Sequence, residues 1–301
     1  MGRQFFLLES ALLLKEPTTY KEQILKLKGH GFVVDNEEQA IEFLKNVNYY
    51  RLSAYFLPFK RPNEVANDIP FSKLISIYRF DSRMRLWVLA VIEDIEQYAK
   101  TQIAYHIAHE YGAEAYLNED IFSQKHKHKN FLSKLEDHKK ENRKNPVLIH
   151  HNKRYKGRIP IWAIVEFFSI GSLSVFYADL KIRDRKYIAK NGFSTGQKQL
   201  VSWLRVTTEL RNRCAHFARL YFWNFHSVPK SDKHNSKQMD NTLFSQIFML
   251  KLLHPMKEEW NRHLKNLIDL IDEFSQEIDL DHIGFKTDWK SVLENPKVMY
   301  L

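Results

Sequence analysis

Apolar residues in this chain recur at three- and four-residue steps, the spacing that lays one stripe along an α-helix. The longest such run covers residues 71–111. There Leu74, Ile77, Tyr78, Met84, Trp87, Val88, Val91, Ile95, Tyr98, Ile103 and Ile107 share a face, and Gly112 closes it. Upstream, Pro17-Thr18-Thr19 signals a helix start before Ile24, Leu25 and Leu27, with Gly29 and Gly31 as the stop. A second helix follows Asp35, with Ala40, Ile41, Leu44 and Val47 on one side. The aromatic segment 48–59 comes next, and Pro58, Pro62 and Pro70 predict a loop over 61–70. Further helices are expected from Pro160 to Phe168, broken by Gly171, then around 173–180, over 197–221, over 242–253, from Pro255 through Phe274, and near Trp289. No segment of useful length alternates with the period of a strand, and no internal repeat is visible. With only 9 Gly and 9 Pro in 301 residues, long helices are favoured over many tight turns. The expectation is an all-α fold in a single domain. N-terminal helices and the aromatic segment occupy 1–70, a core occupies 71–225, and C-terminal helices occupy 242–301.

Residues 123–158 break the pattern. Apolar positions are few, and Lys139, Lys140, Arg143, Lys144, Lys153 and Arg154 stand among other lysines and arginines, which predicts a mobile basic loop or a basic helix followed by a loop. The whole chain carries a formal charge of +10 and a pI near 9.4. Such an excess favours a polyanionic partner, because each cation set against a phosphate releases a counterion. Nucleic acid leads, an anionic membrane surface is second, and a basic protein with no such partner is the plain alternative. The six named cations are expected to contact an RNA backbone, against the alternative of an ordinary solvated segment. His126, His128, His138, His150 and His151 lie in the same stretch, but without Cys or Asp at ligand spacing and among lysines that repel cations, so no metal or other cofactor is expected. The single cysteine, Cys214, excludes an intrachain disulfide and fits a reducing cytoplasm. Residues 1–15 read as a short amphipathic helix, and no apolar run reaches the roughly 18 residues that would insert stably across a bilayer.

The chemistry concentrates in the helix expected at 197–221. Leu200, Trp203, Leu210, Cys214, Phe217 and Tyr221 form its apolar stripe. Arg205, Thr208, Asn212, His216 and Arg219 form the opposite face, with the small Ala215 among them and Arg211 at the edge. A histidine that titrates near neutrality can take a proton from a 2′-hydroxyl or give one to a leaving 5′-oxygen. An arginine can stabilise the charge that gathers on the phosphorane, and an asparagine can orient either group. The spacing Arg-x4-His is weak by itself, and a solvated helix face is the bland reading of it. Residues five apart also point about 140° away from each other on an ideal helix, so two copies meeting across a two-fold axis would supply a joint cleft more readily than one.

The segment Leu210-Arg211-Asn212-Arg213-Cys214-Ala215-His216-Phe217-Ala218-Arg219-Leu220 resembles the signature of the Abi-like family, a branch of the HEPN superfamily of helical ribonucleases. Asn48-Tyr49-Tyr50-Arg51-Leu52-Ser53-Ala54-Tyr55 resembles its N-terminal element. Phe80-Asp81 through Arg85, with Ile95-Glu96, resembles its long helix, and Ile283-Gly284-Phe285 with Trp289 resembles its C-terminal element. The likeness runs over roughly residues 17–293. It implies a HEPN-like helical bundle core with added N- and C-terminal helices, a homodimeric composite site, and metal-independent endoribonuclease activity in antiphage defence, where RNA damage halts an infected cell. By matching position, Arg211 and His216 would be catalytic and Asn212 would support them. Glu96 and Arg219 would be supporting residues, Glu96 by facing the site unless it forms a plain structural ion pair, and Arg205 would join the RNA contacts. RNA, a second copy of the chain, and a regulatory antitoxin protein or small RNA are the partners implied. Two departures bear on the pocket: Tyr221-Phe222 stands where the family usually has Trp-Asn, and Lys100 stands where it often has Arg. The alternative from another class is a non-catalytic RNA-binding or protein-binding module on the same fold. A membrane-surface protein acting through its basic segment and N-terminal helix is a third reading.

Overall fold

A computed structural model describes residues 14, 16–59, 68–231 and 239–294. Most of the amphipathic helix expected over 1–15, most of the proline-rich loop and part of the polar stretch before 242 lie outside the described residues. Thirteen α-helices stand among the described residues, against one pair of two-residue strands, so the fold is all-α. The chain divides into two compact units, Met1–Arg79 and Phe80–Leu301, with the division inside the long helix.

In the first unit, α1 (Tyr20–Gly29) opens with a capping box. The Thr19 hydroxyl accepts from the Glu22 N–H, and the Glu22 carboxylate accepts from the Thr19 N–H at 2.7 Å. Strand β1 (Phe32–Val33) pairs in parallel with β2 (Ile69–Pro70), Phe32 opposite Ile69. Two residues are too short to show a strand period, so nothing in the sequence announces them. Helix α2 (Glu37–Asn46) begins at the Asn36 cap. Helix α3 (Tyr49–Ser53) begins at Asn48, whose side chain accepts from the Tyr50 N–H at 2.8 Å, and runs on into a 3-10 turn over Ala54–Phe59. Leu52, Tyr55 and Phe56 are buried, and the Phe56 ring meets Phe32 at 4.9 Å. One side of the aromatic segment is therefore core, while Tyr50 and Leu57 are exposed.

Helix α4 (Phe71–Tyr111) has 41 residues and is about 60 Å long, and the second unit is built along the part of it from Phe80 onward. Met84, Val88, Val91, Ile95, Ile103 and Ile107 are buried along it. The basic stretch folds as two helices, α5 (His128–Glu141) and α6 (Pro146–Tyr155), with Leu135 and Leu148 as their buried anchors. Helix α7 (Ile161–Ile164) passes into a 3-10 turn, followed by α8 (Ile170–Asp179), α9 (Ile182–Phe193) and α10 (Gln197–Ala215). Helices α11 (Leu243–Leu253), α12 (Lys257–Glu273) and α13 (Trp289–Glu294) complete it. Helix α10 packs on α8, α9 and α11 and so lies at the centre of the unit.

Three expectations are corrected. Gly171 does not break a helix: it is the second residue of α8, capped by Ser169, and a Cβ there would come within 3.1 Å of Thr208 on α10. Its missing side chain lets the two helices close up. Helix α9 was not foreseen, because its buried side includes a carboxylate, Asp184, held by the Tyr111 hydroxyl at 2.8 Å and lying 2.9 Å from His106 Nε2. Helix α10 ends at Ala215, not near Tyr221. The Ile283-Gly284-Phe285 element is a turn in which Gly284, at φ 81°, sits against Thr242, and the Phe285 ring touches Phe244 and Trp289 at 5.0 and 5.2 Å.

Candidate active site

Helix α10 buries Leu200, Trp203, Leu210 and Cys214, the stripe expected of it, and Trp203 Nε1 donates to the Lys230 carbonyl at 2.9 Å. Its other side leaves Arg205, Arg211 and Asn212 exposed. Thr208 is half-buried, and its hydroxyl donates back to the Leu204 carbonyl. Burial first, and the Asp81 carboxylate second, push the Cys214 thiol up to about 12, so it stays protonated and packs as a small apolar group.

The helix stops in a Schellman-type turn built on His216. The His216 N–H donates to the Asn212 carbonyl at 2.9 Å, Phe217 turns left-handed at φ 58°, and the Ala218 N–H reaches back to the Arg213 carbonyl at 2.9 Å. This turn usually falls to glycine, and a phenylalanine there gave the sequence no stop signal. Phe217 therefore leaves the apolar stripe and stands 63% exposed beside the exposed His216.

The chain after the turn is clamped to α4. Asp81, fully buried, accepts from the Leu220 and Tyr221 N–H groups at 2.9 and 2.6 Å through one oxygen and from Arg85 through the other. The Phe80-Asp81 to Arg85 motif is thus a brace for the turn that carries His216. Arg213 lies on the Trp223 ring at 3.6 Å and donates to the Arg219 carbonyl at 2.8 Å. Arg219 is itself only 8% exposed, with its guanidinium 5.9 Å from the same ring. It belongs to the turn's inner packing and not to the exposed cationic face where the helical wheel put it.

Arg211 shares a cleft of about 230 Å³ with Glu93, Glu96 and Gln97 of α4. Glu96 also pairs with the buried Lys100 at 3.1 Å, and Lys100 Nζ donates to the Glu166 carbonyl at 3.4 Å, so the carboxylate is held from behind while it lines the cleft. The Arg211 guanidinium donates to Asn212 Oδ1 at 3.4 Å. His216 and Asn212 are not among the residues that line this cleft. Arg211 and His216 lie at one helix end, about 7.5 Å apart along the axis, and face different ways, as a five-residue step requires.

Lys140, Arg143, Lys144, Lys153 and Arg154 are exposed on α5, α6 and the link between them, and Lys139 is half-buried and paired with Glu136 at 2.6 Å. No local pattern points to a cavity here, yet one of about 500 Å³ opens beside α5. Lys125, Lys127 and Lys134 surround it, and Phe131, Phe168 and Phe176 line it. Its lining comes from two segments some forty residues apart. His126 lies 2.9 Å from Asp179, His128 reaches the Leu117 carbonyl, and His151 reaches the Arg158 carbonyl, so each of these three histidines has a partner within the fold. Among the described residues, the ligand atoms that converge are those of Asp94, His254 and His263, all within 4.8 Å of one another. Three separate helices or helix ends supply it, and no local spacing reveals it.

The family model described as Abi-like protein matches residues 42–224, more than half of the chain, and takes in the aromatic segment, the Asp81 brace, Glu96 and the whole Arg211–His216 turn. No curated protein and no solved structure matches. The chain belongs to the Abi-like protein family.

Proposed function

We propose that this Abi-like chain is a metal-independent endoribonuclease of an abortive-infection system, acting in the bacterial cytoplasm as a homodimer with a HEPN-like core. Family membership points to an abortive-infection role. The observation that carries the ribonuclease reading is the exposed end of α10, which bears Arg211 and Asn212 on its last turn and His216 at its braced cap, with Arg211 lining a cleft together with Glu96. His216 removes the proton from a ribose 2′-hydroxyl as its oxygen attacks phosphorus, and the bond to the 5′-oxygen breaks. The His216 of the second copy donates a proton to that leaving oxygen, so the products are a 2′,3′-cyclic phosphate and a 5′-hydroxyl. Arg211 stabilises the phosphorane charge, Asn212 orients the Arg211 guanidinium, and Glu96 aligns it from the cleft wall. DNA lacks the internal nucleophile and is not cut.

The exposed Phe217 offers a face on which a base can stack next to His216. The lysines of α5 and the phenylalanines beneath them suit a second stretch of the same strand, phosphates on the rim and a base within. Arg205, Arg143, Lys144, Lys153 and Arg154 add backbone contacts. A regulatory antitoxin protein or small RNA would hold the activity in check.

The test is total bacterial RNA incubated in EDTA with wild-type and His216→Ala protein, followed by analysis of the 3′ ends. Cyclic-phosphate ends from the wild type, reduced at least about a hundredfold in the variant, are expected. RNA bound by both proteins and cut by neither, also after addition of lysate from infected cells, would favour the non-catalytic binding module.

A further inference from the structure

Asp94 on α4, His254 at the C-terminal cap of α11 and His263 on α12 point three ligand atoms at one spot. Asp94 Oδ2 lies 3.2 Å from His254 Nε2 and 2.8 Å from His263 Nε2. The His254 side chain is wholly enclosed and that of His263 nearly so, whereas Asp94 keeps about a third of its side chain open to solvent. From these groups we infer that the protein binds a divalent transition metal ion of the zinc type, held by Asp94, His254 and His263, with a water-accessible fourth position.

The hydrogen-bonding of His254 is the strongest argument. Its Nδ1 lies 3.0 Å from the Met256 carbonyl. A carbonyl only accepts, so Nδ1 carries the hydrogen. In the neutral ring Nε2 is then a bare lone pair, and it faces a carboxylate oxygen. Two acceptors at that distance repel unless a cation, either a proton on the ring or a metal ion, stands between them. A metal ion resolves the repulsion, and the backbone carbonyl on the far nitrogen is the outer partner that metal-bound histidines ordinarily have. His263 joins by carrying its hydrogen on Nδ1, which leaves the Nε2 lone pair facing the ion in place of the hydrogen bond to Asp94.

The dimensions and walls agree. Tetrahedral zinc with bonds near 2.0–2.1 Å sets its ligand atoms about 3.3 Å apart, close to the two Asp94–histidine separations, so the carboxylate needs to part from each ring by only a few tenths of an ångström, and all three ligand atoms already lie within 4.8 Å of one another. Trp87 Nε1 donates to the His263 carbonyl at 2.8 Å, and the Trp260 ring lies 5.9 Å from that of His254, so the site has rigid support. Two imidazoles and one carboxylate suit a borderline ion such as zinc and not calcium or magnesium, which take oxygen ligands. Such an ion would tie α11 and α12 to α4 close to Glu93 and Glu96, with no part in the cleavage chemistry proposed at α10.

Tag-free protein stripped with chelator and titrated with zinc tests this, alongside Asp94→Asn and His263→Gln. One tight equivalent per chain in the wild type is expected, lost in both variants. Saturating zinc, at a hundredfold excess over Kd, is expected to raise the wild-type melting temperature by roughly 5–10 °C. Cobalt in place of zinc reports on the wild type alone, so it serves even if a variant misfolds: the intense visible bands of a tetrahedral ion with nitrogen ligands are expected. Zinc uptake equal in wild type and variants, or wild-type protein that shows neither a tight equivalent nor those cobalt bands, overturns the proposal.

Discussion

Phe217 holds a left-handed backbone that costs an ordinary residue about 1–2 kcal/mol, and it does so with most of its ring in solvent. The left-handed conformation closes the turn that ends α10, and the exposed ring stands next to His216, where a base can stack on it. Replacing it with glycine is expected to relieve the strain and raise stability by up to about 1 kcal/mol, measured by urea unfolding. The same change should weaken RNA binding by roughly tenfold, since stacking on one aromatic ring contributes about 1–3 kcal/mol per base. A Phe217→Gly protein that is more stable and binds RNA as tightly as the wild type would remove Phe217 from the site. Histidine and arginine at this turn are legible in the chain because motif and residue type coincide. The strained phenylalanine is not, because a helical wheel assumes the helix continues.

At the level of elements, the brace between α4 and the segment after α10 decides where the His216 turn sits. Asp81 holds two backbone N–H groups and a buried arginine at once. Asparagine can still accept from the backbone, but it turns an amide donor toward Arg85 and leaves that cation without its countercharge. Asp81→Asn is therefore expected to cost about 3–5 kcal/mol. Adding Arg85→Met should recover much of that loss in chemical denaturation, because the uncompensated charge goes with it. If Asp81→Asn alone cost under about 1 kcal/mol, the brace would not be what holds the turn. The motif residues were visible in the sequence. Their joint work was not, because Asp81 and Tyr221 are separated by 140 positions along the chain.

For the molecule as a whole, stability should depend on pH through Lys251. Burial alone draws its ammonium down to about 8, while its Nζ donates to the Val292 carbonyl and so ties α11 to α13. Between about pH 8 and the ordinary lysine value near 10.5, the unfolded chain binds this proton and the folded chain releases it. Unfolding free energy therefore rises with pH across that window, by up to about 1.4 kcal/mol per unit from this group. Below about pH 8 both states carry the charge and the contribution is flat at its least favourable. Comparing Lys251→Met with wild type by thermal unfolding from pH 7 to 10 isolates the effect: the variant should lack this rise. A wild type whose stability relative to the variant does not change over that range would show Lys251 to be solvated.

The helical class, the long α4, the central apolar helix and the Arg211-Asn212-His216 set follow from the sequence by itself, because each is local. A 3.6-residue period, a scarcity of breakers and a compact motif need no distant partner to be recognised. Other features depend on distant segments meeting, and only the tertiary structure decided them. The basic stretch folded as two helices because Leu135 and Leu148 are buried, one in each, although the stretch itself is rich in charge. Helix α9 hides a carboxylate whose stabilising partners lie on α4. Arg219 turned inward onto Trp223, and Glu96 came to line the cleft with Arg211 from a helix more than a hundred residues earlier. Asp94, His254 and His263 converge from three elements. Local spacing carries information over one or two helical turns. Whether a polar side chain is buried, paired or presented depends on packing between turns far apart in the chain, which no local pattern encodes.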